Sequence, residues 1–165
     1  MPTSGSDLFE RLLLLTGKMN YMWTNTESLL IHMIAGLADT DKEIAVIIFL
    51  TLNTTRARID LVERLAKAGR CSAEDRRAIL ELTRDLGRLS GVRNHFNHCI
   101  YSFDAESGQA QTILMRISDR KTGIKLGRTD PVDQTELDRV GEALDNLAAL
   151  NRSIWDLIVK LGYPV

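Results

Sequence analysis

The stretch LDRVGEALDNLAALNRSIWDLIVKL, residues 137–161, decides the fold class that we predict. Side chains that follow one another at intervals of three and four residues are apolar here, with the single exception of Asn151. This spacing places them on one face of an α-helix, ready to pack against other helices. The face consists of Leu137, Val140, Leu144, Leu147, Asn151, Ile154, Ile158 and Leu161. We predict a long amphipathic helix that begins near Asp130-Pro131 or at Thr135.

Two further helices are predicted upstream from the same spacing. Residues 8–37 carry an apolar face that only Thr26 interrupts, which indicates one long helix. Thr40 with Glu43 has the pattern of a capping box, and the apolar spacing that follows continues to Gly69. We therefore predict a second long helix between these two signals, with no turn inside it.

A third helix is predicted from Ser72, which forms a second capping box with Asp75 and leads into residues 91–102. Residues 111–118 and 124–127 are rich in β-branched and apolar side chains around a turn-like segment. We predict a small β-hairpin or loop there. The predicted fold is all-α, an up-and-down bundle of four long helices with this hairpin between helices 3 and 4.

The length and composition of the chain favour one soluble domain. The chain has 165 residues, of which 44% are hydrophobic and 26% charged, so we predict a single domain over residues 1–165. The longest apolar run, residues 44–50, is too short for a membrane helix, and no secretory signal precedes it. We expect a cytoplasmic protein that does not contact a membrane, with Cys71 and Cys99 as free thiols.

The charges are unevenly distributed along the chain. The net charge is −1, but residues 56–93 alone hold 10 basic and 6 acidic side chains, and the segments on both sides of them are acidic. Because screening limits the reach of distant charges, a local basic surface can attract an anionic polymer even on a nearly neutral protein. The alternative is a solvated helical face of mixed charge.

The stretch GVRNHFNHCIYS, residues 91–102, gathers polar chemistry at the end of the predicted third helix. Arg93 is followed by Asn94 and, after three more residues, by His98. This pattern resembles the signature of the HEPN domain superfamily, an arginine followed by four to six residues and a histidine, with a polar residue directly after the arginine. The resemblance covers the helical architecture broadly and six residues as a motif.

The resemblance implies a metal-independent endoribonuclease without a cofactor, in which two copies of the motif meet across a homodimer interface. Many members of that superfamily are toxins or defence proteins, so an antitoxin protein is a further implied partner. Histidine suits proton transfer and arginine suits phosphate binding. We expect Arg93 to bind phosphate, His98 to transfer protons and Asn94 to orient the imidazole from one helical turn away.

Further residues near the motif are assigned to binding RNA or a nucleotide: Arg88, His95, Asn97 and Tyr101. Arg88 and His95 also satisfy the broad signature, but Leu89 follows Arg88 where the superfamily usually has a polar residue. We therefore favour Arg93 with His98. In one toxin branch a tyrosine two residues beyond the histidine is modified by a partner; Ile100 occupies that position here, which speaks against such regulation.

Other readings of the same residues remain open. His95 and Cys99 share a helical face and suit zinc, but further ligands at recognisable spacing are missing, so we predict no metal. The cluster also fits a helix end held by hydrogen bonds, in a non-catalytic RNA- or nucleotide-binding module or a protein-interaction domain. Trp23 and Trp155 suit base stacking but more often form cores, and Glu27 is a possible extra polar group of the site.

Overall fold

The computed structural model describes residues 5–104, 106–120 and 122–165. Its helices are α1 (Gly5–Ser28), α2 (Leu30–Ala38), α3 (Lys42–Thr51), α4 (Thr55–Lys67), α5 (Ala73–Asn97) and α6 (Gln134–Leu161). Its strands are β1 (Cys99–Asp104), β2 (Gln109–Arg120) and β3 (Gly123–Pro131). Two compact units divide the chain: Met1–Asn20 with Gly91–Leu144, and Tyr21–Ser90 with Asp145–Val165. We call them the motif unit and the helical unit; the single domain expected from the chain length stays a prediction.

The prediction of an all-α, up-and-down bundle of four long helices is wrong. Between α5 and α6 the chain forms a three-stranded antiparallel sheet in the order β1-β2-β3, in place of a small hairpin. Cys99 of β1 pairs with Leu114 of β2, and Gln111 of β2 pairs with Pro131 of β3. The predicted hairpin corresponds to β2 and β3, whereas β1 continues directly from the motif and was not predicted.

Two of the predicted long helices are interrupted, and local hydrogen bonds explain both breaks. Before Leu29 the hydroxyl groups of Thr26 and Ser28 donate to the carbonyls of Met22 and Asn25, the kind of side-chain bond that bends helices. At the second break, the Thr54 hydroxyl accepts the Ala57 N–H at 3.1 Å and so begins α4. The apolar spacing continues through both breaks and therefore hides them.

Three other helix ends match the sequence signals, whereas the predicted Thr40 cap is wrong, because Asp41 caps α3. The Ser72 hydroxyl accepts the Asp75 N–H at 3.0 Å, which confirms the predicted cap of the third helix. Beyond α4, Gly69 has a φ of 91°, the left-handed conformation that a glycine stop provides. Asp133 accepts the Glu136 N–H at 2.9 Å and so caps α6, between the two starts that we predicted. None of the helices in the described residues has the length and apolar character needed to cross a membrane.

The core of the helical unit draws buried side chains from the C-terminal end of α1, from α2 to α5 and from the C-terminal part of α6. Its fully buried side chains include Leu30, Met33, Ile34, Leu147 and Ile154. Burial of this apolar surface supplies the main stabilisation of the unit.

A partly buried ion pair joins three helices of the helical unit. Glu27 accepts from Arg58 Nη1 at 3.0 Å and from the Thr55 hydroxyl at 2.5 Å. Arg58 Nε also donates to the Phe49 carbonyl at 3.2 Å, and its guanidinium lies 4.0 Å from the Phe49 ring centroid. These contacts connect α1 to α3 and α4 at the break after residue 51.

We predict that Glu27→Gln lowers the free energy of unfolding by about 3 kcal/mol, because it leaves the Arg58 charge without its carboxylate in a largely buried position. Urea denaturation followed by circular dichroism measures the loss. The matched control is Glu74→Gln, which removes one carboxylate from the exposed pair with Lys160 and should change the stability far less, because water screens this pair. Equal effects of the two substitutions would show that the Glu27 pair has no special role.

Candidate functional site

The motif lies where α5 ends and the sheet begins. Arg93 and Asn94 belong to the last turns of α5, His98 follows the final helical residue, and Cys99 already belongs to β1. The His98 N–H donates to the Asn94 carbonyl at 3.1 Å, and the His98 carbonyl accepts the Met115 N–H of β2 at 3.2 Å. Backbone bonds from both a helix and a strand therefore hold His98 at this junction.

The guanidinium of Arg93 is oriented by neutral amides. Arg93 Nη1 donates to Asn94 Oδ1 at 3.0 Å. When the amide oxygen of Asn97 faces the guanidinium, it accepts from Arg93 Nε at 2.8 Å and Nη2 at 3.1 Å, and the amide nitrogen donates to Asn20 Oδ1 at 2.9 Å. Asn20 thereby connects α1 to this arrangement. Neutral amides fix the orientation of a guanidinium and leave its positive charge unchanged.

The side chain of His98 is exposed. Within the described ranges its imidazole takes part in no hydrogen bond or ion pair, so it is accessible to a ligand. The amide oxygen of Asn94 accepts from Arg93, and no hydrogen bond from Asn94 to the imidazole occurs in the described part of the chain. The roles of His98 in proton transfer and of Asn94 in orienting it stay predictions.

His95 lies in a more enclosed environment than His98. Its Nε2 is 3.7 Å from Oε1 of Glu136 and 4.0 Å from Sγ of Cys99. Burial lowers the pKa of His95, and the nearby Arg139 charge lowers it further, while Glu136 opposes both. A histidine with a lowered pKa is neutral at physiological pH, so His95 offers little positive charge to a phosphate.

Cys99 and His95 approach each other as the zinc alternative requires, but the thiol is held in its neutral form. Burial raises the pKa of the Cys99 thiol, and Sγ donates to the His95 carbonyl at 3.0 Å. Metal binding needs the thiolate and several converging ligands. Among the side chains that the structure describes, no group of three or more His, Cys, Asp and Glu is arranged to hold a metal ion.

Tyr101 ties the sheet to the end of α5. Its hydroxyl donates to the Phe96 carbonyl at 2.8 Å and lies 3.4 Å from the hydroxyl of Thr16. Burial raises the pKa of Tyr101, in line with a phenol that stays protonated. The contacts of Tyr101 and Asn97 position the motif, and the binding roles that we assigned to them stay predictions.

The remaining sequence candidates belong to the helical unit. Arg88 is exposed and pairs with Asp85 on its own helix. Arg88 belongs to the helical unit and His95 to the motif unit. Their alternative assignment as the arginine and histidine of the motif stays a prediction. Trp23 is 2% exposed and forms part of the core, which leaves no face for a base. Trp155 lies 5.2 Å from the His32 ring, and His32 Nδ1 is bonded to the Pro164 carbonyl at 2.7 Å. Glu27 is the partner of Arg58.

Three residues that shape the motif were not found from the sequence. Asn20 contacts the amide of Asn97, whereas Glu136 and Arg139 set the charge around His95. They come from α1 and α6, far from the motif in the chain, and no spacing within one element links them to it. To identify them from the sequence, one would need to know which helices pack against the end of α5.

Comparisons with known proteins identify no relative: no protein-family model matches the chain, and no curated protein or solved structure matches it significantly.

We predict that His95 titrates below its ordinary pKa of 6.5 in the folded protein. Because the unfolded chain then binds a proton more readily than the folded one, His95 stabilises the fold above pH 6.5 and this contribution is lost as the pH falls through the folded pKa. A proton NMR titration of the His95 ring measures the value directly.

Two variants separate the causes of this shift. Arg139→Gln removes a positive charge and should raise the pKa of His95, whereas Glu136→Gln removes a negative charge and should lower it. A His95 pKa at or above 6.5 in the parent, or no response to either substitution, would contradict this description of the site.

Proposed function

We propose that the protein is a metal-independent endoribonuclease of the HEPN type, with Arg93 and His98 as its reacting residues. One observation carries this proposal: Asn94 and Asn97 hold the Arg93 guanidinium in one orientation near the end of α5, and the exposed His98 follows five residues later in the chain. A fixed cation and an accessible general acid or base are the two groups that cleavage of a phosphodiester without a metal needs.

The reaction that fits these groups is attack of the ribose 2′-hydroxyl on the adjacent phosphorus. The 2′-hydroxyl loses its proton and forms a bond to phosphorus, the bond from phosphorus to the 5′-oxygen breaks, and the leaving 5′-oxygen takes up a proton. The products are a 2′,3′-cyclic phosphate and a 5′-hydroxyl. His98 transfers a proton at one of these oxygens, and Arg93 stabilises the charge that grows on the phosphate oxygens.

A second copy of the chain completes the site in this proposal. Arg93 and His98 are five positions apart, and α5 ends between them, so one copy does not present both side chains from a single helical face. The HEPN resemblance implies that the motifs of two subunits meet, so that the Arg93 of one copy and the His98 of the other act on one phosphate. An antitoxin partner and a role in defence follow from the same resemblance and belong to the proposal.

The second candidate function is an RNA- or nucleotide-binding module without catalysis. It is favoured by the absence, within the described residues, of a hydrogen bond that would orient the His98 imidazole. A histidine that is not oriented still contacts a phosphate but transfers protons inefficiently.

We predict that the purified protein cleaves single-stranded RNA in excess EDTA and leaves 2′,3′-cyclic phosphate ends. His98→Ala should lower the cleavage rate at least about 100-fold, because it removes the proton-transfer group. Arg93→Lys keeps the charge but loses the fork that the two asparagines orient, so it should also lower the rate by roughly tenfold or more. Gel separation of end-labelled RNA and identification of the product ends measure these effects.

Arg116→Ala is the matched control, because it removes an exposed arginine of β2 that is not part of the motif, and it should cleave like the parent. Thermal unfolding of each variant separates a lost function from a lost fold. If the parent leaves RNA intact and binds it, and if His98→Ala binds it equally well, the non-catalytic candidate replaces the enzyme.

A further inference from the structure

We propose that the cleft between α4 and α5 binds the phosphate backbone of single-stranded RNA, as a second anchoring site for the substrate. This inference rests on the proposed function for the identity of the ligand. The cleft lies within the helical unit and has a volume of about 470 Å³, which is in the range of ligand sites. Its lining residues belong to the helical unit, whereas Arg93 and His98 belong to the motif unit.

Positive side chains dominate the rim of this cleft. Four cations line it, and Glu63 is the one carboxylate among its lining residues in the described part of the chain. The cations are Arg56, Lys67, Arg84 and Arg88. The carboxylate of Glu63 already has partners: it accepts a hydrogen bond from the Thr83 hydroxyl at 3.1 Å and lies 3.5 Å from Lys67 Nζ. The rim therefore attracts anions.

The cations on the rim can exchange their present partners for phosphate. Arg84 is exposed and forms no ion pair with any described residue, so its guanidinium is available. Arg88 lies one helical turn from Arg84 and pairs with Asp85 while 73% of its side chain is exposed. Arg56 pairs with Asp60 while 83% of its side chain is exposed. Such exposed pairs are weak and screened by salt, and a phosphate offers a guanidinium the same bidentate geometry.

The floor of the cleft is low enough for an RNA backbone to lie along the rim. Gly87 of α5 has no side chain, and the one described atom that a Cβ built there would meet is Ile59 Cδ1, at 3.8 Å. Ile59 and Leu80 provide apolar surface beneath the cations. A surface that combines cations with short apolar contacts suits a sugar–phosphate backbone, and it does not discriminate among bases.

The test is the affinity for a fluorescein-labelled oligouridylate, measured by fluorescence anisotropy with EDTA present and between about 50 and 200 mM salt. All proteins carry His98→Ala, so that the RNA stays intact. We expect Arg84→Gln with Arg88→Gln to weaken binding on the order of tenfold and to make the salt dependence less steep, by about 0.7 per lost contact. The matched control, Arg77→Gln with Arg152→Gln, removes the same charge from exposed positions that do not line the cleft, and it should bind like the background protein.

The outcomes separate this cleft from the motif site. Weaker binding in the cleft variant alone supports the anchoring role, whatever the result of the cleavage assay. Equal affinity in the cleft variant and the control, or an equal loss in both, overturns the inference, as does a preference of the cleft for duplex DNA of the same length. Cleavage without such a change in affinity would leave the endoribonuclease proposal standing and remove the cleft from it.

Discussion

The ion pair of Glu27 with Arg58 is the polar constraint on which the helical unit depends. A carboxylate and a guanidinium that are largely removed from water must satisfy each other and their remaining hydrogen bonds, or the unit loses stability. Here Thr55 and the Phe49 carbonyl supply those bonds. Because the partners come from α1, α3 and α4, their geometry is compatible with one arrangement of the three helices. The apolar core supplies most of the stability, and the polar cluster selects the arrangement.

In the motif unit, side-chain amides of asparagine connect two helices, as the ion pair does in the helical unit. Asn97 bonds the guanidinium one turn earlier on α5 and, on its other side, Asn20 of α1, so the end of α5 is attached to a second helix at the position of Arg93. Tyr101 adds a bond from β1 to the Phe96 carbonyl. Residues that the sequence presents as one polar cluster therefore divide into two groups. Asn97, Tyr101, His95 and Cys99 hold the junction together, whereas His98 is exposed.

The sequence predicted those features that depend on residues close together in the chain. The Ser72 cap, the region of β2 and β3 and the long α6 all follow from spacing within one element. The break at residues 52–54 was missed because a single Thr54 hydroxyl starts α4 while the apolar spacing continues. β1 was missed because its first residues, Cys99 to Tyr101, were assigned to the motif and not to a strand.

One tertiary contact was visible in the sequence as two separate irregularities. Thr26 and Asn151 are the polar residues that interrupt the apolar faces of the first and last helices, and the Asn151 amide donates to the Thr26 hydroxyl at 3.1 Å. A polar residue in an apolar face fixes the register of its neighbour when it finds a partner there. The two polar residues were thus a sign that the first and last helices pack against each other. The spacing within each helix does not show that Thr26 and Asn151 are in contact.

For the motif, the sequence identified the residues and left their contacts undetermined. The pattern of Arg93 and His98 was readable, while the amides that orient Arg93 and the neighbours that set the pKa of His95 depend on α1 and α6. The central claim is that Arg93 and His98 contact the same phosphate. An NMR titration of protein labelled at arginine and histidine, with an oligonucleotide that lacks 2′-hydroxyls and is not cleaved, tests it most directly. We predict that the Arg93 Nε–H and His98 ring signals shift together as the complex forms; unchanged signals from both residues in a saturated complex would contradict the claim.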